Sequence, residues 1–284
     1  MSSGPHAPPL RGSLPAEGAE PPWGGPATSL SPQDIQSRDN PLVKELRALA
    51  HDNTAYRQRG RVWLDGDHLC RALLARGQRP AIAVFSASGW PRAEAELARA
   101  APRVVRLPDA VMASVSGLES PPAVGFVVDL PTASDLQPEA PTVVLDRLQD
   151  AGNVGSILRS AAAFGFTQVA ALKGTAALWS PKVLRAGMGA HFGLRLVEGL
   201  PDEGLDALCV PLLVTSSHQG EWLHRAALPW PCAWVMGHEG QGVSKALMQR
   251  AQAFVRIAQP GGEESLNVGA AAAICLHASA AARL

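Results

Sequence analysis

Two rhythms of apolar residues organise this chain. Short unbroken runs such as TVVL at 142–145, QVAAL at 168–172 and AWVM at 233–236 read as strands buried on both faces. Between them, apolar residues recur at the i, i+3, i+4, i+7 spacing of amphipathic helices. Residues 1–36 show neither rhythm; they are rich in Pro, Gly, Ser and Ala and are expected to be a disordered tail. Order begins with SRDNPLVKELRALAHD, where Pro41 suits a first helical turn and Leu42, Leu46 and Leu49 share a stripe. A strand at 62–64, a helix at 67–75, a strand at 81–85, a helix at 91–101, a strand at 104–107, a helix at 109–115 and a strand at 124–129 complete a small α/β domain over 37–130. Residues 131–141, with Pro, Ser and Asp, read as a linker.

The second domain, 142–284, continues the alternation and implies an α/β fold with a parallel sheet. After strand 142–145, Asn153 is placed to cap a helix whose stripe is Val154, Ile157, Leu158 and Ala161, with Gly165 ending it. Arg159 falls opposite the stripe, and Gly155 one turn away is expected to leave open space beside it. Strand 168–172 follows; then Ser180 and Pro181 start a helix with Lys182 and Arg185 on one face. Strand 210–214 leads into TSSHQG, strand 233–236 into GHEGQGVS and helix 245–250, and strand 254–257 into a loop with Pro260, Gly261 and Gly262. The last helix, 266–282, is apolar almost all round, so burial is expected, with Ser265 as its cap and Glu263 and Glu264 at its positive end. Polar turns at 146–153, 215–220, 237–244 and 258–265 thus follow strand ends. Ligands of open parallel sheets bind there, and the last three turns are the expected site.

With 46% hydrophobic residues, the chain has enough apolar material for a full core. The zero net charge argues against a strongly basic nucleic-acid binder on bulk electrostatics. Charge is nevertheless uneven: 38–106 holds 13 Lys and Arg against 7 Asp and Glu, and Arg57, Arg59 and Arg61 gather before strand 62–64, where they could track phosphates. Cys70, Cys209, Cys232 and Cys275 lack the paired spacing of a zinc site and read as buried reduced thiols, giving no metal and a cytoplasmic setting. No secretory apolar core and no membrane-length apolar run is present in the sequence.

Several chemistries are excluded by single residues. The segment 237–244 has the glycine spacing of a phosphate-binding loop but carries Val243 where its lysine must stand. His238-Glu239 has no second histidine four residues on, and neither a dinucleotide glycine fingerprint after a strand nor a GxSxG elbow occurs.

NVGSILRSAAAFG, VMGHEGQGVS and IAQPGGEESLNVGAAAAI, in this order, resemble the three motifs of the SpoU (TrmH-type) RNA 2′-O-ribose methyltransferases of the SPOUT superfamily. The likeness runs over 142–282 and takes in SPKVLRAGMGA. More loosely, SRDNPLVKELRAL and the α/β unit behind it resemble an L30e-like substrate-binding domain, with Asp65-Gly66 where relatives often show Glu-Gly. The resemblance implies a deep trefoil knot, which topology rules would not suggest. It implies S-adenosyl-L-methionine as cofactor, held by Gly237, Ile257 and Leu266, with Met236, Thr215 and Ser216 as further candidates. It implies a homodimer whose sites are completed across the two-fold axis. Arg159 becomes the catalytic residue, with Asn153, Glu239, Ser265 and Asn267 orienting it or shaping the loops. A guanidinium keeps its proton far above neutral pH, so clamping a phosphate and stabilising an alkoxide suits Arg159 better than acting as base. Arg57, Arg59, Arg61, Lys182 and Arg185 are the RNA-binding candidates. Ribosomal RNA is the expected substrate; the alternatives are transfer RNA methylation or a catalytically silent RNA-binding relative.

Overall fold

The computed structural model describes residues 31–131, 135–216, 219–261 and 265–284. Within it, Pro32–Leu284 make one compact unit containing two sheets. The first half runs β1 (Gln33–Asp34), α1 (Pro41–His51), α2 (Ala55–Arg59), β2 (Arg61–Asp65), α3 (Asp67–Ala75), β3 (Ile82–Ser86), α4 (Ala95–Ala98), β4 (Arg103–Leu107), α5 (Asp109–Val115) and β5 (Val124–Asp129). Its five strands are ordered β1-β4-β3-β5-β2. Asn40 caps α1 through Leu42 N, and Leu42, Leu46 and Leu49 are buried as the stripe requires. Gly66 enters α3 at φ +103°, a conformation that favours glycine, while Asp65 accepts hydrogen bonds from Ser116 Oγ and Gly117 N.

Two expectations for this half need correction. Residues 33–36 are not a free tail: β1 pairs in parallel with β4, and Asp34 takes a two-pronged ion pair from Arg106 at 2.6 and 2.7 Å. Residues 1–30 lie outside the described residues. The helix expected over 91–101 is split, because extended backbone at Glu94 separates a tight turn at Trp90–Arg92 from the short α4. Trp90 instead packs edge-on against Phe85.

The second half runs β6 (Thr142–Asp146), α6 (Ala151–Ala163), β7 (Gln168–Leu172), α7 (Pro181–Gly187), β8 (Arg195–Leu200), β9 (Leu212–Thr215), β10 (Glu221–Trp222), β11 (Ala233–Gly237), α8 (Lys245–Arg250), β12 (Ala253–Arg256) and α9 (Val268–Ala281). Seven strands, ordered β10-β12-β9-β11-β6-β7-β8, form a sheet with every neighbouring pair parallel. Successive strand residues feed opposite faces: Val143, Leu145, Trp234 and Met236 join the core under α6 and α9, whereas Val144, Ala233 and Val235 join Leu247 of α8. Both faces are covered, which is why these strands are unbroken apolar runs. The edge strand β8, with Arg195, Glu198 and Gly199, lacks such a run and was not apparent from the apolar pattern.

Five local readings change here. Asp150, not Asn153, caps α6, accepting from Asn153 N at 2.7 Å. Asn267, not Ser265, caps α9, accepting from Gly269 N and Ala270 N; Gly262, Glu263 and Glu264 lie outside the described residues. Gly155 does not open space beside Arg159. It is buried, and a Cβ there would lie 2.4 Å from Ala186 Cβ, so its smallness lets α7 press against α6. Finally, α9 is not enclosed all round: Leu266 just before it and Ile274 within it are 39% and 40% exposed. Cys209 is likewise exposed, while the other three cysteines are buried free thiols.

The halves share side chains. Leu184 of α7 and Phe192 enter the core of the first half, and Tyr56 Oη donates to Glu198, with both carboxylate oxygens 2.8 Å away. Gln137, in the connecting segment, is tied to β7: Gln168 accepts from Gln137 N and donates back to Gln137 O.

Candidate active site

The turns after β9, β11 and β12 close with the start of α9 around one cavity of about 420 Å³, within the range of small-molecule sites. Its lining includes Thr215 and Ser216; Gly237, His238, Glu239 and Val243; Ile257 and Gln259; and Ser265, Leu266, Asn267 and Ala271. Thr215, Gly237 and Ile257 stand at the carboxyl ends of β9, β11 and β12, so the cavity lies at the strand ends where ligands of parallel sheets bind.

The turn after β11 is built on a missing side chain. His238 N donates to Gly242 O and Gly242 N returns a bond to His238 O, folding the chain back on Gly237. A Cβ on Gly237 would lie 2.2 Å from Val243 N and 2.3 Å from Gly242 C, both backbone atoms that cannot step aside cheaply. His238 Nδ1 accepts from Gly240 N at 3.0 Å and Gln241 N at 3.3 Å, leaving Nε2 to carry the ring proton. At the end of β6 the fully buried Asp146 accepts from Ser244 N at 2.7 Å, anchoring the same turn to the neighbouring strand. Its other oxygen lies 2.7 Å from Arg147 Nη2, near enough to balance the charge but off the angle of a hydrogen bond.

Glu239 bridges this turn to the first motif. Its carboxylate accepts from Gln149 N, Asp150 N and Asn153 Nδ2 at 3.1–3.2 Å. Burial pushes the Glu239 pKa up, but hydrogen bonds from its own backbone, from Asp150, from Asn153 and from Gln149 outweigh it, and the group stays below its ordinary value. Asn153 Oδ1 in turn accepts from Asn267 Nδ2 at 2.9 Å. Three residues named from sequence, Asn153, Glu239 and Asn267, are therefore one hydrogen-bonded chain that holds the three motif segments together.

The remaining sequence candidates divide. Gly237, Ile257, Leu266, Thr215, Ser216 and Ser265 line the cavity, whereas Met236 is buried in the core and does not. Arg159 is exposed on α6, lies outside the lining, and has no hydrogen-bond or ion-pair partner among the described residues. Arg57 is engaged by Tyr56 Oη and Glu198, and Arg61 by Asp129 and Glu45. Arg185 is half-buried between the halves and lines a small pocket with Asp65, which leaves Arg59 and Lys182 exposed and without a partner among the described residues. Asp146, Asp150, His238 (met in the sequence only in an incomplete zinc motif with Glu239) and Gln259 were not among the expected site residues. Asp150 could have been found as a capping residue three positions before Asn153; the other three carry no local signal. Among the described residues no group of His, Cys, Asp or Glu is gathered as a metal would need. No helix among them is long and apolar enough to cross a membrane.

A model of the SpoU rRNA methylase family matches residues 140–277, which enclose the whole cavity lining. A tRNA/rRNA methyltransferase of Synechocystis, itself uncharacterised, is 32% identical over 255 residues, covering 86% of this chain and 92% of that protein. The chain belongs to the SpoU rRNA methylase family. A second relative of this SpoU methylase is the 23S rRNA (guanosine(2553)-2′-O)-methyltransferase RlmP of Bacillus subtilis, 29% identical over 86% of this chain and 98% of its own length. A solved structure of a TrmH-family RNA methyltransferase from Porphyromonas gingivalis superposes with a TM-score of 0.71 at 29% identity, covering 84% of this chain and 96% of that one. Both relatives and the solved structure span the two halves, so the association of the first half with a SpoU methylase domain is shared with them.

Proposed function

We propose that this SpoU methylase transfers a methyl group from S-adenosylmethionine to a ribose 2′-oxygen of ribosomal RNA, as a cytoplasmic homodimer. The observation that carries this reading is the convergence of motif segments on one cavity, with the turn after β11 able to fold tightly at its edge only because Gly237 has no side chain. The residues present fit the cofactor: Gly237, Gly242 and Val243 bring a tight backbone turn to the cavity wall, and Ile257, Leu266, Thr215 and Ser216 supply mixed apolar and hydroxyl contacts. When bound, the cofactor provides an electrophilic methyl on a sulfonium sulfur.

The protein's own task is then placement and charge. A ribose hydroxyl would have to be held in line with that methyl at roughly 3 Å, and such positioning would supply much of the rate. Arg159 clamps the adjoining phosphate and stabilises the oxygen as its proton leaves to phosphate or water. Glu239, Asn153 and Asn267 hold the turns in register. Because Arg159 stands outside its own chain's cavity, this reading has it serve the site of a partner across a two-fold axis. The exposed Ala270, Ile274 and His277 on one side of α9, with Leu266 just before it, are the surface that such a partner covers. In the same reading 37–130 is the L30e-like RNA-binding domain, joined through 131–141 to the catalytic domain 142–284, and Arg59 and Lys182 track the RNA backbone. The same reading has the C-terminal segment thread through a loop as a deep trefoil knot. The 23S rRNA activity of the Bacillus relative supports ribosomal RNA as substrate.

The test is to map ribose methylation across total RNA from cells with and without the protein, alongside calorimetry with S-adenosylmethionine. Loss of methylation at discrete ribosomal RNA positions, with cofactor binding in vitro, is expected. Unchanged methylation together with no binding would return the protein to the silent RNA-binding class.

A further inference from the structure

The two ends of the first sheet differ in charge. Strands β2, β3 and β4 run parallel, so their starts share one edge of the sheet and their carboxyl ends the other. At the carboxyl ends Asp65, Asp67, Glu94, Glu96 and Asp109 gather with Arg71 and Arg92, and Arg71 is taken up by Asp67, Glu94 and Glu96. The starts carry the opposite sign. Arg103 opens β4 and Arg79 stands shortly before β3; α3 and α4 run back against the strands, which brings Arg76 and Arg99 there as their C-terminal caps. All four are exposed. Arg79 Nη1 donates to the carbonyls of Arg99 and Ala100 at 3.4 and 3.5 Å, tying the approach to β3 to the end of α4.

This edge continues onto the second half. Gln78 Nε2 donates to Phe192 O at 3.0 Å, and a Cβ on Gly193 would lie 2.4 Å from Arg76 Nη1. The end of α3 therefore rests on the segment that leads into Arg195, the first residue of β8. Arg76, Arg99, Arg103 and Arg195 make no ion pair among the described residues. Nearby acids are few: Asp129 is held by Arg61, and Asp135 offers Arg195 its carbonyl. The remaining segments change the balance little, since 1–30 carry Arg11 against Glu17 and Glu20, and 132–134 carry no charge. A chain of zero net charge thus concentrates guanidiniums on one edge, where their planar forks suit phosphate and their field steers a polyanion.

We propose that this arginine edge, Arg76, Arg79, Arg99, Arg103 and Arg195, grips the phosphate backbone of the RNA, and that the substrate is a large folded RNA rather than a short strand around its target nucleotide. The inference rests on the RNA methyltransferase reading. The cavity lies at the carboxyl ends of β9, β11 and β12, whereas Arg195 starts β8 at the opposite end of the same sheet. β8 and β12 stand five strand spacings apart, roughly 24 Å. RNA held on the arginine edge must extend well past the nucleotide in that cavity.

The experiment measures binding of the full-length protein to an in vitro transcript of large-subunit ribosomal RNA between about 50 and 200 mM salt, where each phosphate contact adds about one to the slope of log affinity against log salt. The triple variant Arg76→Gln/Arg99→Gln/Arg103→Gln is expected to flatten that slope by about two to three and to weaken binding about ten-fold or more at about 0.15 M salt. Arg71→Gln/Arg92→Gln, at the other end of the sheet, should stay within about two-fold of wild type. Arg195→Gln is the second variant should the triple one unfold, expected to take about one from the slope. Methylation of the transcript should show a raised KM with kcat within about two-fold, while a short hairpin around the mapped nucleotide should be methylated by triple variant and wild type alike. A wild-type slope in the triple and Arg195→Gln variants, or an equal loss in Arg71→Gln/Arg92→Gln, overturns the assignment and leaves the methyltransferase reading standing. If the wild type binds no transcript at the lowest salt, the RNA reading and this inference fall together.

Discussion

The side-chain nitrogen of Asn267 donates to the side-chain oxygen of Asn153 at 2.9 Å, closing a contact between residues 114 positions apart. Asn267 meanwhile caps α9 with its own oxygen, and Asn153 passes the link on to Glu239. Asn267→Ala should cost about 1–2 kcal/mol through the lost cap, and its effect should be non-additive with Asn153→Ala by about 0.5 kcal/mol or more. Urea unfolding of the two single variants and the double variant measures both; strict additivity would mean the two turns are held independently.

Gly237→Ala places a methyl group against backbone at 2.2–2.3 Å, so the 237–243 turn must shift. Overpacking of this kind costs about 1–3 kcal/mol, and cofactor affinity is expected to drop about ten-fold or more. Gly261→Ala meets nothing within 4 Å of its Cβ among the described residues and is the matched control, expected within about two-fold of wild type. Calorimetry with S-adenosylmethionine compares them.

Arg159 is exposed and lies outside the cavity lining. Arg159→Ala should lower methylation by about 10²–10³ or more, as removal of a transition-state donor does, with cofactor affinity within about three-fold of wild type. Single-turnover methylation and binding read the two separately, and a collapse of binding would reassign the residue.

His191 is buried with Nε2 on Leu178 O, and burial pulls its pKa down to about 4 against a partial offset from that carbonyl. Above about pH 6.5 the ring is neutral in both folded and unfolded chains. As pH falls from 6.5 toward 4 only the unfolded chain takes up the proton, so stability is lost across that window, by about 3 kcal/mol in all. His191→Gln should flatten the difference in unfolding free energy between pH 7.5 and pH 5, whatever its effect at either pH alone.

Tyr56 and Glu198 join the two halves, with a hydroxyl shared between both carboxylate oxygens. Tyr56→Phe leaves Glu198 with Leu178 N and Arg57, and should destabilise by about 1.5 kcal/mol. Chemical denaturation gives the value, and limited proteolysis near 130–141 reports whether the halves loosen.

The sequence by itself determined the alternation of strands and helices, because residues buried on both faces leave unbroken apolar runs and half-buried helices leave stripes. Helices Asp67–Ala75, Asp109–Val115 and Lys245–Arg250 carry their ends in local residues and appear where they are expected. Glycine-bearing motifs likewise announced the cavity, since Gly237 is demanded by atoms only five and six positions away. What tertiary structure decided is everything set by partners remote in the chain. Gln33 and Asp34 become a strand only because β4 brings Arg103 and Arg106 to them. Asn153 and Ser265 look like caps on spacing alone, yet Asn153 is drawn instead to Glu239 and Asn267, and Asn267 outcompetes Ser265 at the start of α9. Gly155 resembles a surface gap until α7 is laid against it. Spacing along a chain encodes a residue's near neighbours; which distant group satisfies a polar atom is fixed only when the sheet brings its turns together.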